Sequence, residues 1–165
     1  MAVQQKDTEL QQALLTLSNY IATNKLRKTK EREDILTFVY SNPGHWEANE
    51  IFGMMKEAGF AISRMSVFNT LELLVKCQLV ICHHFDNGAA KYEKLTPSTI
   101  HFHRICTQCG AIKEFTDKKL HRLLSKKEFT AFTPTFYKFY IYGLCKKCLN
   151  SNNLINNPQN NKQKK

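Results

Sequence analysis

Nothing in this sequence approaches the roughly 20 consecutive apolar residues that a membrane-spanning helix needs. Met1 to Lys6 leads into a polar segment rather than the apolar core of a secretory signal. The two absences give the expectation of a soluble, cytoplasmic chain with no membrane partner. Acid is also short: 14 Asp and Glu stand against 24 Lys and Arg, a formal charge of +10. That balance favours polyanions through counterion release without assigning a function. Without a secretory signal the six cysteines are not expected to form a disulfide framework, because cytosolic thiols are kept reduced. Metal or redox chemistry is the use left to them. No internal repeat is present, and 165 residues at 42% apolar composition have room for one medium core or two small ones.

The apolar periodicity predicts a helix over Glu9 to Ile21, with Leu10, Leu14, Leu17 and Ile21 on one face. A basic turn follows, and Thr29 is placed to cap a second helix whose stripe is Ile35, Phe38 and Val39. A third helix is expected over Ala48 to Ala58, stopped by Gly59. Ser63 would cap a fourth from Arg64 to about Lys76, with Val67, Leu71 and Leu74 inward. Arg64, Ser66, Phe68, Asn69 and Thr70 near its start are left for other uses. Leu79 to Phe85 and Ala90 to Leu95 flank Asp86-Asn87-Gly88, the composition of a tight hairpin. Helices followed by a hairpin make a winged helix-turn-helix, in which the recognition helix enters the major groove of double-stranded DNA. Beyond Thr96-Pro97-Ser98 the pattern changes to strands at Ile100 to Ile105 and Ala111 to Phe115, a helix over Asp117 to Lys127, and a long aromatic strand over Ala131 to Tyr142. The tail from Leu149 is rich in Asn, Gln and Lys and is expected to be disordered.

Cys106-x-x-Cys109-Gly110 and Cys145-x-x-Cys148 are the two halves of a four-thiolate tetrahedral zinc site. Four protein ligands leave no open position, so the ion is structural. Cys77 and Cys82 stand outside that frame as small packing residues. His101 and His103 flank Phe102 on a strand, which puts both imidazoles on one face. Glu114 lies on the partner strand, Glu93 in the second wing strand and His45 in the loop before the third helix. Three nitrogen and two carboxylate donors would suit Fe(II), Mn(II), Co(II) or Zn(II), but spacing alone does not join the last three to the His-x-His pair.

The run His101-x-His103-x-x-Cys106-x-x-Cys109-Gly110, Glu114-Phe115, and Tyr140-x-Tyr142-Gly143-x-Cys145-x-x-Cys148 resembles the ferric uptake regulator (Fur) family of bacterial metalloregulators. Thr29-x-x-Arg32, His45-x-x-Ala48-x-Glu50-Ile51-Phe52 and Ser66-Val67-Phe68-Asn69-Thr70-Leu71 are similar to that family's DNA-domain elements. The likeness covers about Leu26 to Cys148. It implies an α+β fold: a winged-helix DNA-binding domain over 1–95, an α/β dimerisation and metal-binding domain with the four-cysteine structural zinc over 96–148, and a basic tail over 149–165. It further implies a repressor acting as a homodimer on a near-palindromic operator, and a regulatory metal, Fe(II) first, held by His45, Glu93, His101, His103 and Glu114 between the two domains. Arg27, beside Lys28, matches the family's minor-groove residue, and Phe68 and Asn69 match the pair that meets bases. Phe68 stands where tyrosine is usual. Ile100 and Phe102 depart from the family's His-His-x-His pattern, so the accessory site that would also use His121 and Tyr137 is expected to be absent. The peroxide-sensing branch carries aspartates where this chain has Glu93 and Glu114, which favours metal sensing. Rival readings are a peroxide- or haem-responsive regulator, a zinc-stabilised interaction module, or a metal-dependent hydrolase. No general base or nucleophile accompanies the histidines, so an enzyme is not expected.

Overall fold

The computed structural model describes residues 2–84, 88–95, 101–134 and 137–155. The chain divides into two compact units, Met1–Thr99 and Ile100–Lys165.

In the first unit α1 (Ala2–Thr23) buries Ala13, Leu17 and Ile21, whose spacing of four keeps them on one face. It begins earlier than the sequence pattern indicates. α2 (Lys30–Ser41) buries Ile35, Leu36, Val39 and Tyr40, and Thr29 holds the N-cap position in extended backbone without a side-chain cap bond. α3 (Ala48–Glu57) and α4 (Arg64–Lys76) form the helix-turn-helix. Ser63 caps α4 as expected, its Oγ accepting from the Ser66 N–H at 3.0 Å. Three helices end in the same way. Lys25, Gly59 and Gln78 take φ of 52°, 86° and 57°, and Leu26, Phe60 and Leu79 each donate to a carbonyl five residues back. This closure satisfies carbonyls that a helix end would otherwise leave bare. Only Gly59 advertises it in the sequence.

The wing is a three-stranded antiparallel sheet rather than a hairpin alone. β1 (Trp46–Glu47), β2 (Val80–His83) and β3 (Lys91–Lys94) lie in the order β1-β3-β2. A two-residue strand carries no alternation, which is why β1 is invisible in the sequence. The register sets Trp46 opposite Tyr92 and Ile81 opposite Glu93. Of the expected turn, Asp86 and Asn87 lie outside the described residues.

The second unit comprises β4 (Phe102–Cys106), β5 (Ile112–Phe115), α5 (Lys118–Ser125), β6 (Tyr140–Gly143) and α6 (Lys146–Ile155). The sheet order is β5-β4-β6, with β4 antiparallel to β5 and parallel to β6. Among the described residues its buried apolar side chains are Phe102, Ile105 and Cys106, whereas the first unit's core draws on all four helices. The long aromatic strand shrinks to β6. Ala131 takes φ 55°, Phe129 and Phe132 form an isolated bridge, and Pro134 lacks an N–H for a ladder. Part of the supposed disordered tail is helical, because the turn begun in the second cysteine pair propagates. The Leu149 N–H donates to the Cys145 carbonyl at 2.9 Å and Ser151 Oγ to the Lys147 carbonyl at 3.0 Å. Residues 156–165 lie outside the description. Among the described residues no helix is long and apolar enough to cross a membrane.

Leu71 is fully buried and Leu15 is 57% exposed. Leu71→Ala should lower the unfolding free energy by about 2–5 kcal/mol, and Leu15→Ala should change it by no more than about 0.5 kcal/mol. Urea titration of both variants checks the contrast.

Candidate metal centres and nucleic-acid interface

Two tight turns and a sheet edge bring the four cysteines together. β4 ends at Cys106, and the knuckle that follows closes through the Gly110 N–H, which donates to the Cys106 carbonyl at 2.9 Å. Gly110 takes φ 68°, a conformation that costs glycine least. β6 runs beside β4 and delivers Cys145 and Cys148 to the same end. The four sulfurs lie within 4.8 Å of one another, and Cys109 Sγ stands 3.8 Å from Cys145 Sγ. Four sulfurs at 2.3 Å from one zinc ion would be ~3.8 Å apart along each tetrahedral edge, so the frame fits that ion. Its electrostatics are uneven. The Cys106 thiol is lowered to about 6 by the backbone N–H groups of Cys145 and Cys109, whereas hydrogen bonds with Cys145 and Cys109 push Cys148 up to about 12. Crowded sulfurs cannot all ionise on their own, and a divalent cation is what would draw the remaining protons off.

In the first unit a further donor group centres on Glu93, a carboxylate only 7% exposed. Continuing the β1–β3 register by one residue sets His45 opposite Glu93, and its Nε2 lies 3.1 Å from Glu93 Oε2. From the other flank His83 Nε2 reaches Glu93 Oε1 at 2.6 Å. His83 is a buried histidine that reading the sequence passed over. The signal was available: on β2 it shares parity with Ile81, which faces Glu93 in the register, so it is the diagonal neighbour on the same face.

In the second unit His101 and His103 stand with ring centroids 4.7 Å apart. Phe102 points the other way, as the alternation predicts, and packs against Phe115 and Phe139, each at 5.4 Å. His103 is buried and sits opposite Glu114 in the register. Glu114 is the looser donor, its side chain 54% exposed and its Oε2 4.0 Å from His101 Nε2. The rings of His121 and Tyr137 stand 6.4 Å apart.

The start of α4 is polar and open. Arg64 and Asn69 are exposed and Phe68 is half-buried. Arg64 Nε donates to Asn49 Oδ1 at 2.8 Å while its guanidinium lies 5.8 Å from the Phe68 ring centroid. Ser66 Oγ donates to Glu31 Oε2 at 2.9 Å, which ties α4 to α2. Arg27 and Lys28 are exposed on the preceding turn; Lys28 pairs with Glu33 at 3.1 Å, and Arg32 donates to the Arg27 carbonyl. Thr70 is a correction. It is 3% exposed, because it completes the inward stripe of Val67, Leu71 and Leu74 at helical spacing, and it presents nothing to a groove. Asn49, which holds Arg64, and Met65, 67% exposed on the first turn of α4, escaped the sequence reading.

The profile of the ferric uptake regulator family matches residues 23–142. This chain belongs to the ferric uptake regulator family. The ferric uptake regulation protein of Campylobacter jejuni is 31% identical over 130 residues, 76% of this chain and 81% of that one. The peroxide-responsive repressor PerR of Staphylococcus saprophyticus is 28% identical over 141 residues, 85% of this chain and 91% of that one. Among solved structures the Helicobacter pylori ferric uptake regulator, described as having three functional metal binding sites, superposes with a TM-score of 0.65. It is 24% identical, with 85% of this chain and 93% of that one covered. As a Fur-family member the chain is a metal-responsive transcriptional regulator.

Cys145→Ser should abolish stoichiometric zinc retention and loosen the second unit, since structural zinc contributes folding free energy directly. Metal analysis with limited proteolysis checks this: cleavage should concentrate beyond residue 100 while the first unit stays resistant.

Proposed function

We propose that this Fur-family regulator is a cytoplasmic homodimer, not an enzyme, that binds a near-palindromic double-stranded DNA operator when a divalent metal, Fe(II) first among Mn(II), Co(II) and Zn(II), is available. The observation that supports the reading is that candidate donors occur in both units. His45 and Glu93 belong to the unit that contains the recognition helix, whereas His101, His103 and Glu114 belong to the other. A ligand shifts a conformational equilibrium only by its differential affinity for the two states. Donors confined to one unit would report nothing to the other, whereas donors contributed by both couple metal supply to DNA-binding geometry. When bound, the ion supplies the positive centre that those imidazoles and carboxylates share. His45 and Glu93 would fix the wing, and His101 and His103 would fix the end of β4. Cys106, Cys109, Cys145 and Cys148 would hold the separate structural zinc, giving two ions per subunit. We assign DNA binding to a domain over 1–95, dimerisation and metal binding to 96–148, and a tail to 149–165.

The apolar surface of the second unit supports dimerisation. α5 buries no side chain, Leu123 is 71% exposed, and Ile141 and Tyr142 on the edge strand β6 are 44% and 43% exposed. An open edge of that kind is a template for pairing with a second copy. DNA contacts fall to Arg64, Phe68 and Asn69 toward the bases, with Ser66 orienting the helix. Arg27, Lys28 and Arg32 would serve the minor groove and the phosphates.

Replacing His101 and His103 together with Ala should abolish metal-dependent operator binding while zinc content and dimerisation persist; gel-shift titration with metal analysis separates the two outcomes. Arg27→Ala should weaken operator binding and reduce its salt slope by about one. The likeness to the Staphylococcus saprophyticus repressor favours a second reading, peroxide sensing at the same site. One added oxygen on His45 or His101 after peroxide treatment of the Fe(II)-loaded protein, seen by mass spectrometry, would establish it, and unmodified histidines would dismiss it.

A further inference from the structure

The Glu93 carboxylate is gripped by two histidines at different distances, and the distances separate their roles. Two donors 2.1 Å from one ion stand ~3.0 Å apart at a right angle and ~3.4 Å apart at a tetrahedral angle. His45 Nε2 and Glu93 Oε2, 3.1 Å apart, fit adjacent ligands of one ion. His83 Nε2 and Glu93 Oε1, 2.6 Å apart, are too close for that and fit a charge-assisted hydrogen bond. A carboxylate only accepts, so the His83 nitrogen donates. His83 is 1% exposed, held on β2 by its pairing with Lys91 across to β3, and its ring lies 5.5 Å from that of His45.

We propose that His83 is a positioning residue of the regulatory metal centre: by donating to Oε1 it commits Glu93 to present the single oxygen Oε2 to the ion beside His45. The proposal rests on the reading of His45 and Glu93 as ligands. Its physical content is orientation. A buried glutamate with both oxygens free can rotate and offer them together, which suits a large, high-coordination cation. One oxygen held by an immobile imidazole leaves a single donor at a fixed angle, which suits a small transition-metal ion with imidazole ligands. Partners behind a ligand typically change metal affinity by about 10–100-fold when removed.

The test uses the full chain with its cysteine zinc in place and Co(II) as the probe, followed by its visible d–d absorption and by competition with a chelator of known affinity. His83→Leu should weaken Co(II) binding by about 10–100-fold and alter the absorption bands, while zinc content is unchanged. His83→Gln, whose amide nitrogen can replace Nε2, should restore both. If His83→Leu does not fold, His83→Asn, polar but too short to reach Oε1, takes its place. In a Glu93→Gln background, loss of His83 should change Co(II) affinity by no more than about twofold, since a residue that acts through Glu93 has nothing left to act on. An equal loss in both backgrounds would mean that His83 binds the ion itself or only supports packing, and would overturn the proposal. Unchanged Co(II) binding in His83→Leu alongside a clear loss in Glu93→Gln would also overturn it and leave the ligand reading intact. Unchanged binding in Glu93→Gln and His45→Ala would instead remove the ligand reading on which the proposal rests.

Discussion

A carboxylate taken out of water needs partners that replace its solvation, or it gives up its charge. Glu93 meets that requirement with an imidazole on each oxygen, and the three strands of the wing are the frame that makes this possible. β3 lies in the middle of the sheet, so a side chain on it has one neighbour from the β1 side and one from β2. His45 and His83 occupy those two places. The helices of the first unit pack a continuous apolar core behind the sheet, and the polar cluster on β3 is set against that rigid support. The proposed ligands His45 and Glu93 and the helix-turn-helix are therefore built on the same framework.

The second unit solves a different problem. Among the described residues three apolar side chains are buried in it, far fewer than a free-standing fold of its length usually needs. The four-cysteine frame substitutes for the missing interior by tying the end of β4 to the segment after β6. Its exposed aliphatic and aromatic side chains are left to the proposed subunit contact. Among the described residues a small core, a four-cysteine frame and an edge strand with exposed apolar side chains occur together in this unit.

The sequence showed most of this, and the exceptions have physical causes. Periodicity located the helices because their buried faces recur at helical spacing, and the paired CxxC motifs located the zinc frame because thiolate spacing has few other uses. His-x-His was legible because a period of two fixes which side chains share a face. The aromatic segment before β6 was misread, since apolar content alone does not distinguish a strand from a turn when a left-handed alanine and a proline intervene. Thr70 was misassigned because proximity to exposed neighbours outweighed its place in the stripe. His83 was missed because its meaning comes from a cross-strand diagonal, which appears only once the register is known. Lys25 and Gln78 end their helices in a conformation for which neither residue type is a signal.

The residue after Glu93 on β3 has its own attachment. Lys94 Nζ lies 3.3 Å from Glu9 on α1 and 5.8 Å from the ring centroid of Tyr40, whose hydroxyl donates to the Leu79 carbonyl at 3.1 Å. Burial, then the nearby Glu9 charge, push the Tyr40 hydroxyl up to about 12, so it remains a donor at any physiological pH. The first helix is thereby anchored to the strand that carries Glu93, the proposed metal ligand. Trimming that helix, or displacing it with a bulky fusion, would remove a support of the strand on which the proposed ligand stands, so α1 is more than a leading appendage to the fold.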